Sequence, residues 1–147
     1  MKNLLFLAAG IVVAIVFCIC ASSIIEAVYC PQGFADELYN NNLYTPLALI
    51  VCGLSWAMAA VYYYVINSVK FDRWMHWLIV LMVNSILAFA ACFTFLSSQM
   101  RSLNLDYSGE CLAEALVQAA FAAVMMVVAS FAMRWWSSNC RHTPFPQ

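Results

Sequence analysis

The chain has 147 residues, of which 66% are hydrophobic and 9% charged, with six basic and seven acidic side chains and a formal net charge of −1. A soluble domain carries about 45–50% apolar and about 25% charged residues, so this chain cannot give a globule a polar surface, and soluble folds are excluded. Six scattered Lys and Arg residues build no phosphate-binding patch, which excludes nucleic acid as a partner.

Four uncharged apolar runs follow one another. The first, Asn3–Ile25, has 23 residues between Lys2 and Glu26. Its basic start and the small-x-small stretch at Cys20-Ala21-Ser22 also fit a secretory signal, but an apolar core of this length suits a retained helix better. An outer loop, Ala27–Pro46, comes next. The second run, Leu47–Val69, again has 23 residues and stops at Lys70. A tight turn, Lys70–Met75, leads into the third span, Trp77–Gln99. A second outer loop, Met100–Cys111, precedes the fourth run, Ala115–Met133, 19 residues between Glu114 and Arg134. That run predicts a helix over about 113–136. In the tail, Trp135–Gln147, Pro144 and Pro146 forbid a regular helix.

About 20 apolar residues cross the hydrocarbon of a bilayer as an α-helix. The segments must be helices, because lipid cannot satisfy free backbone N–H and C=O groups. The expected fold is therefore all-α: an integral membrane four-transmembrane-helix bundle, one polytopic domain over residues 1–147 with helices at about 3–25, 47–69, 77–99 and 113–136. If both termini share a side, Lys2, Lys70, Arg73, Arg134 and Arg141 fall together, with Asp72 as the one acid beside them. Glu26, Asp36, Glu37, Asp106, Glu110 and Glu114 fall opposite, joined only by Arg101. The positive-inside rule then places both termini in the cytoplasm. The economical loops suggest a multi-pass protein of a bacterial inner membrane. Tyr62, Tyr63, Tyr64, Trp74, Trp77, Trp135 and Trp136 cluster near the cytoplasmic boundary and read as an aromatic belt at headgroup level.

Polar residues inside a span are the first place to look for function. Asn84 and Ser85 lie in the third span. Glu114 opens the fourth, with Gln118 one turn deeper on the same face. These four are the pore candidates, although interhelical hydrogen bonding is the better account of Asn84 and Gln118. Asn84 and Gln118 sit at different depths, so no direct contact between them is expected. Small residues form a second pattern. Ala115, Ala119 and Ala123 recur every fourth position and define a helix-packing face, and Ala48, Cys52, Ser55 and Ala59 form a comparable one. Small faces let backbones approach closely in lipid.

Seven cysteines make no CxxC or zinc spacing. Cys30 and Cys111 are the two in the outer loops, and a disulfide between them would tie the first helix to the fourth. In helix number and size the chain resembles the four-helix quinone-linked thiol oxidases of the disulfide-bond-forming protein B class. That class uses a CxxC pair in an outer loop and a second cysteine pair, whereas each outer loop here holds a single cysteine. No catalytic, nucleotide-binding or metal motif is present, so neither catalytic residues, cofactor nor metal are expected.

The function expected from these features is a small, non-catalytic membrane subunit. It would sit in the lipid bilayer and assemble with itself as a homo-oligomer, or with other membrane subunits. An oligomeric pore or membrane-disrupting protein is the alternative, and a membrane thiol–disulfide protein is third.

Overall fold

The structure, a computed structural model, describes residues 2–29, 31–66 and 73–136, and among them all regular structure is helical, with no strand. Helix α1 runs over Lys2–Ile19 and α2 over Ala21–Glu26. Cys20 lies between them with φ −95 and ψ 17, yet hydrogen bonds from Cys20 N–H to the Val16 carbonyl and from Ile24 N–H to the Cys20 carbonyl carry the helical path through the bend. A short helix, α3 (Phe34–Asn40), follows. Then come α4 (Tyr44–Ala60), α5 (Trp74–Ser102) and α6 (Ser108–Met133). Helix α4 continues as a wider π-helical segment over Val61–Ile66, and α6 closes with a 3₁₀ turn at Arg134–Trp136.

Three helical stretches are long and apolar enough to cross a membrane: Tyr44–Ile66, Trp74–Ser102 and Ser108–Met133. The molecule is a multi-pass helical membrane protein on that ground. The first apolar helix is shorter, Asn3–Ile19. Helices α4, α5 and α6 begin ahead of the spans expected from Leu47, Trp77 and Ala115, at Tyr44, Trp74 and Ser108. Pro46 sits within the first turn of α4, where its missing N–H would have had no intrahelical partner.

Helix α6 is the centre of the bundle. It packs on α5 most extensively, then on α4, then on α1. The stripe it buries recurs every three or four residues: Cys111, Glu114, Ala115, Gln118, Ala122, Met125, Met126, Ala129, Ser130 and Ala132. Helix α1 is peripheral, with Gly10 and Phe17 as the buried positions between Asn3 and Ile19. Gly10 makes its approach to α6 possible: a Cβ there would lie 2.8 Å from Ala132 Cβ and 3.3 Å from the Trp56 ring. Phe6, near the start of α1, stacks on Trp135 just past the end of α6, with ring centroids 5.5 Å apart. The beginning of α1 and the end of α6 therefore share one end of the bundle.

The first loop is more ordered than its polarity suggests. Gly33, with φ +87, leads into α3, which buries Phe34, Ala35 and Leu38. The Phe34 ring meets Tyr107 of the second loop at 5.6 Å, and the Tyr44 hydroxyl donates to the Ala35 carbonyl at 3.5 Å. Both loops stop a helix in the same way. Asn42 and Asn104 adopt left-handed φ values of 55 and 57. The next N–H reaches back five residues round the turn, Leu43 to the Leu38 carbonyl at 2.9 Å and Leu105 to the Met100 carbonyl at 3.0 Å. This is the Schellman arrangement, which asparagine tolerates better than any other residue with a Cβ.

The aromatic belt needs correction. Tyr62, Tyr63 and Trp77 are buried and form a second core cluster with Ala59 and Ala129. Tyr62 and Tyr63 meet edge-on at 5.0 Å, and the wide π turn brings consecutive residues onto the packed side. Trp74 and Tyr64 remain exposed, as interface anchors should be. The Arg134 guanidinium lies over the Trp135 ring, 4.4 Å from its centroid. Residues 70–72 of the Lys70–Met75 turn and the tail from 137 onward lie outside the described residues.

Candidate functional site: a buried polar row on α6

Lipid gives no help to a polar side chain, so each one inside the bundle must find a protein partner. Glu114, Gln118, Ser130, Asn84 and Ser55 are all fully buried. They gather into three groups along α6. Nearest the loop end, the Gln118 amide donates to a carboxyl oxygen of Glu114 at 2.7 Å, the i,i+4 contact expected from their spacing. One turn further, three helices meet. Asn84 of α5 donates from Nδ2 to Ser55 Oγ of α4 at 3.2 Å and to the Ala122 carbonyl of α6 at 3.1 Å. Ser55 donates in turn to the same carbonyl at 3.0 Å. At the opposite end, the Trp77 indole N–H donates to Ser130 Oγ at 3.0 Å.

The supply of polar atoms exceeds the donors. Asn84 Oδ1, Glu114 Oε2 and Gln118 Oε1 are buried acceptors with no hydrogen-bond partner. Cys92 of α5 and Cys111 of α6 lie within electrostatic range of the Glu114 carboxyl. Between the polar groups the α6 face is filled by Ala115, Ala122, Met125, Met126 and Ala129, all buried. The row links three helices at fixed depths; it is not a continuous polar lining.

The sequence-predicted residues separate as follows. Asn84, Glu114 and Gln118 are drawn to the α6 interfaces. Ser85 is half-buried and donates back to the Leu81 carbonyl of its own helix at 3.1 Å, outside the row. Asn84 and Gln118 occupy different levels, and the Asn84 amide is spent on Ser55 and Ala122. Ala115 is fully buried, whereas Ala119 and Ala123 lie half-buried at the edge of the packed stripe. Ala48, Cys52, Ser55 and Ala59 of α4 are all buried. Cys111 is a free, buried thiol; Cys30, its expected disulfide partner, lies outside the described residues.

Sequence reasoning missed two contacts. Trp77 was read as an interface anchor and Ser130 was not singled out, although Trp77 lies seven residues before Asn84 and so on the same helical face. Cys18 meets not its near neighbour Cys20 but Cys52 of α4, with sulfurs 3.7 Å apart. No sequence signal marks that pair, since it depends on how α1 is rotated against α4. Among the described residues, no group of three His, Cys, Asp or Glu side chains is placed to hold a metal ion. The chain matches no known family model, no curated protein and no solved structure.

Proposed function

We propose that the chain is a non-catalytic membrane subunit: a four-span bundle, with α1 and α2 together as the first span and both termini cytoplasmic, that assembles with itself or with other membrane chains. One observation carries the reading. The polar side chains of the interior are turned toward one another across α4, α5 and α6, while large apolar side chains are turned outward. Leu4, Leu5 and Ile19 of α1 are 68%, 69% and 76% exposed, and α5 exposes Ile79, Met82, Val83, Ile86 and Leu87. Such faces meet either lipid or a partner helix. The count of four spans is supported by the near-continuous path from Lys2 to Glu26, which at about 1.5 Å per residue exceeds the hydrocarbon thickness. The orientation rests on the distribution of basic residues, and the bacterial inner membrane on the economy of the loops.

The pore reading draws on a separate observation, the three unpartnered acceptors along the row, which would suit a file of water. Two measurements on the full-length protein decide between the readings. Native mass measurement after mild detergent extraction should give an assembly larger than one chain, and planar-bilayer recording should show no unitary conductance. A monodisperse single chain would remove the subunit reading. A unitary conductance altered by Glu114→Gln would replace it with the pore.

A further inference from the structure

At the loop end of the bundle a pocket of about 490 Å³ opens between the end of α5, the α5–α6 loop and the first turn of α6. Its size falls in the range of about 300–1,000 Å³ usual for small-ligand sites. Phe93, Met100 and Leu105 give it an apolar wall, and Arg101 and Asp106 bring opposite charges to its rim. These two charges line one pocket, yet neither forms an ion pair with the other or with any other described residue. Arg101 is also the single basic residue among the charges grouped at the acid-rich end of the chain. The positive-inside rule would place it opposite, so its presence here calls for a partner.

Charge balance selects the ligand. Helix α6 begins at the pocket with Ser108 and has no side-chain N-cap, so its free N–H groups add a positive end beside Arg101. A simple anion drawn to them would also meet the Asp106 carboxylate and Glu110 in the first turn of α6. A simple cation drawn to Asp106 would meet Arg101. A ligand that carries both signs a few ångströms apart satisfies every group at once. We propose that this pocket binds a phosphoethanolamine headgroup, with its phosphate on Arg101 and the α6 N-terminus, its primary ammonium on Asp106, and its apolar part along Phe93, Met100 and Leu105. A primary ammonium donates charge-assisted hydrogen bonds to the carboxylate; a trimethylammonium has no N–H to give, so ethanolamine is selected over choline. Arg101 and Asp106 are both exposed, so each contact is modest, and the abundance of lipid in the bilayer supplies occupancy by mass action. The inference needs α5 and α6 in a membrane, and is independent of whether the protein assembles.

The test uses the full-length protein in nanodiscs of phosphatidylcholine containing a minor fraction of phosphatidylethanolamine or phosphatidylglycerol, with retained lipid measured by native mass spectrometry. Phosphatidylethanolamine should be retained in preference to both others. Arg101→Gln and Asp106→Asn should each weaken that retention roughly three- to tenfold, the scale of an exposed charge contact. Soluble O-phosphoethanolamine identifies the source: competition only at far higher concentration assigns the site to the lipid, whereas tight binding with the same dependence on both residues assigns the same headgroup chemistry to a soluble ester. Equal retention of the three lipids by the unaltered protein overturns the proposal, and that outcome does not depend on any variant folding. So does preference for phosphatidylglycerol that Asp106→Asn increases, which would mark a plain anion site.

Discussion

Helices α1 and α6 are both apolar enough to enter a membrane, yet one lies at the margin of the bundle and the other at its centre. Between Asn3 and Ile19, α1 contains no Asn, Gln, Ser or Thr and no charge, and it buries little beyond Gly10 and Phe17. Helix α6 carries Glu114, Gln118 and Ser130 on a single face, interleaved with alanines, and buries all three. Hydrophobicity does not sort the two, because lipid tails are as apolar as leucine and give no drive for one apolar helix to leave lipid for another. Polar groups that lipid cannot satisfy, and small residues that admit a neighbour's backbone, decide which helix becomes central.

The largest effect should come from filling the centre. Ala122 is fully buried, and its carbonyl receives both Ser55 and Asn84. Ala122→Leu forces α4 and α5 away from that carbonyl and should cost about 3 kcal/mol, the upper range for overpacking. Reversible unfolding in mixed micelles would measure it. Leu116, exposed on the same helix, provides the control, and Leu116→Ala should change stability little. Ala119→Leu, at the half-buried edge, should fall between the two, and should exceed Val117→Leu if the alanine stripe serves as a contact face.

Gly10→Leu tests the margin. The glycine allows α1 to approach α6 where a Cβ would stand 2.8 Å from Ala132 Cβ. A leucine there should release α1 and cost about 1–3 kcal/mol. The observable is local: hydrogen exchange should accelerate in α1 while α4, α5 and α6 stay protected. Uniform acceleration across all helices would show that α1 is integral to the core, and the contrast between margin and centre would fail.

Three of the expected spans, over about 47–69, 77–99 and 113–136, were legible because charged residues limit the apolar runs and lipid permits a helix and little else. The buried side of α4 was legible too, since Ala48, Cys52, Ser55 and Ala59 repeat at helical spacing. Two kinds of feature were not. Trp77 and Tyr62 sit near span ends, where a ring belongs equally to headgroups or to a neighbouring helix, and only packing chooses. The hub at Ala122 was hidden because its acceptor is a backbone carbonyl, a group every residue has and no sequence distinguishes. Helix α3 was passed over as loop, although Gly33 ahead of it, Asp36 and Glu37 in its first turn, and Phe34 and Leu38 four residues apart are the marks of a short helix with one buried face.

Within the centre, the three-helix hub makes a finer prediction. Asn84→Leu removes both bonds of the amide and leaves the Ser55–Ala122 bond in place. It should cost about 1–2 kcal/mol, the upper range for interhelical hydrogen bonds.

Within the hub the smaller effect should be that of Ser55→Ala, and its size follows from what each partner keeps. Without the hydroxyl, Asn84 Nδ2 still donates to the Ala122 carbonyl at 3.1 Å, so the amide is not stranded. The Ala122 carbonyl loses one of two side-chain donors and retains the other. Alanine occupies less space than serine, so no neighbour has to move. The cost should therefore stay near the average of about 0.6 kcal/mol measured for such bonds. Combining Ser55→Ala with Asn84→Leu should then be less harmful than the two separate losses added together, because the bond between the two side chains can be lost only once. Strict additivity would mean that the Ser55–Asn84 bond contributes nothing. The centre of the bundle would then be held by the fit of small residues alone, as the approach of α1 is held at Gly10.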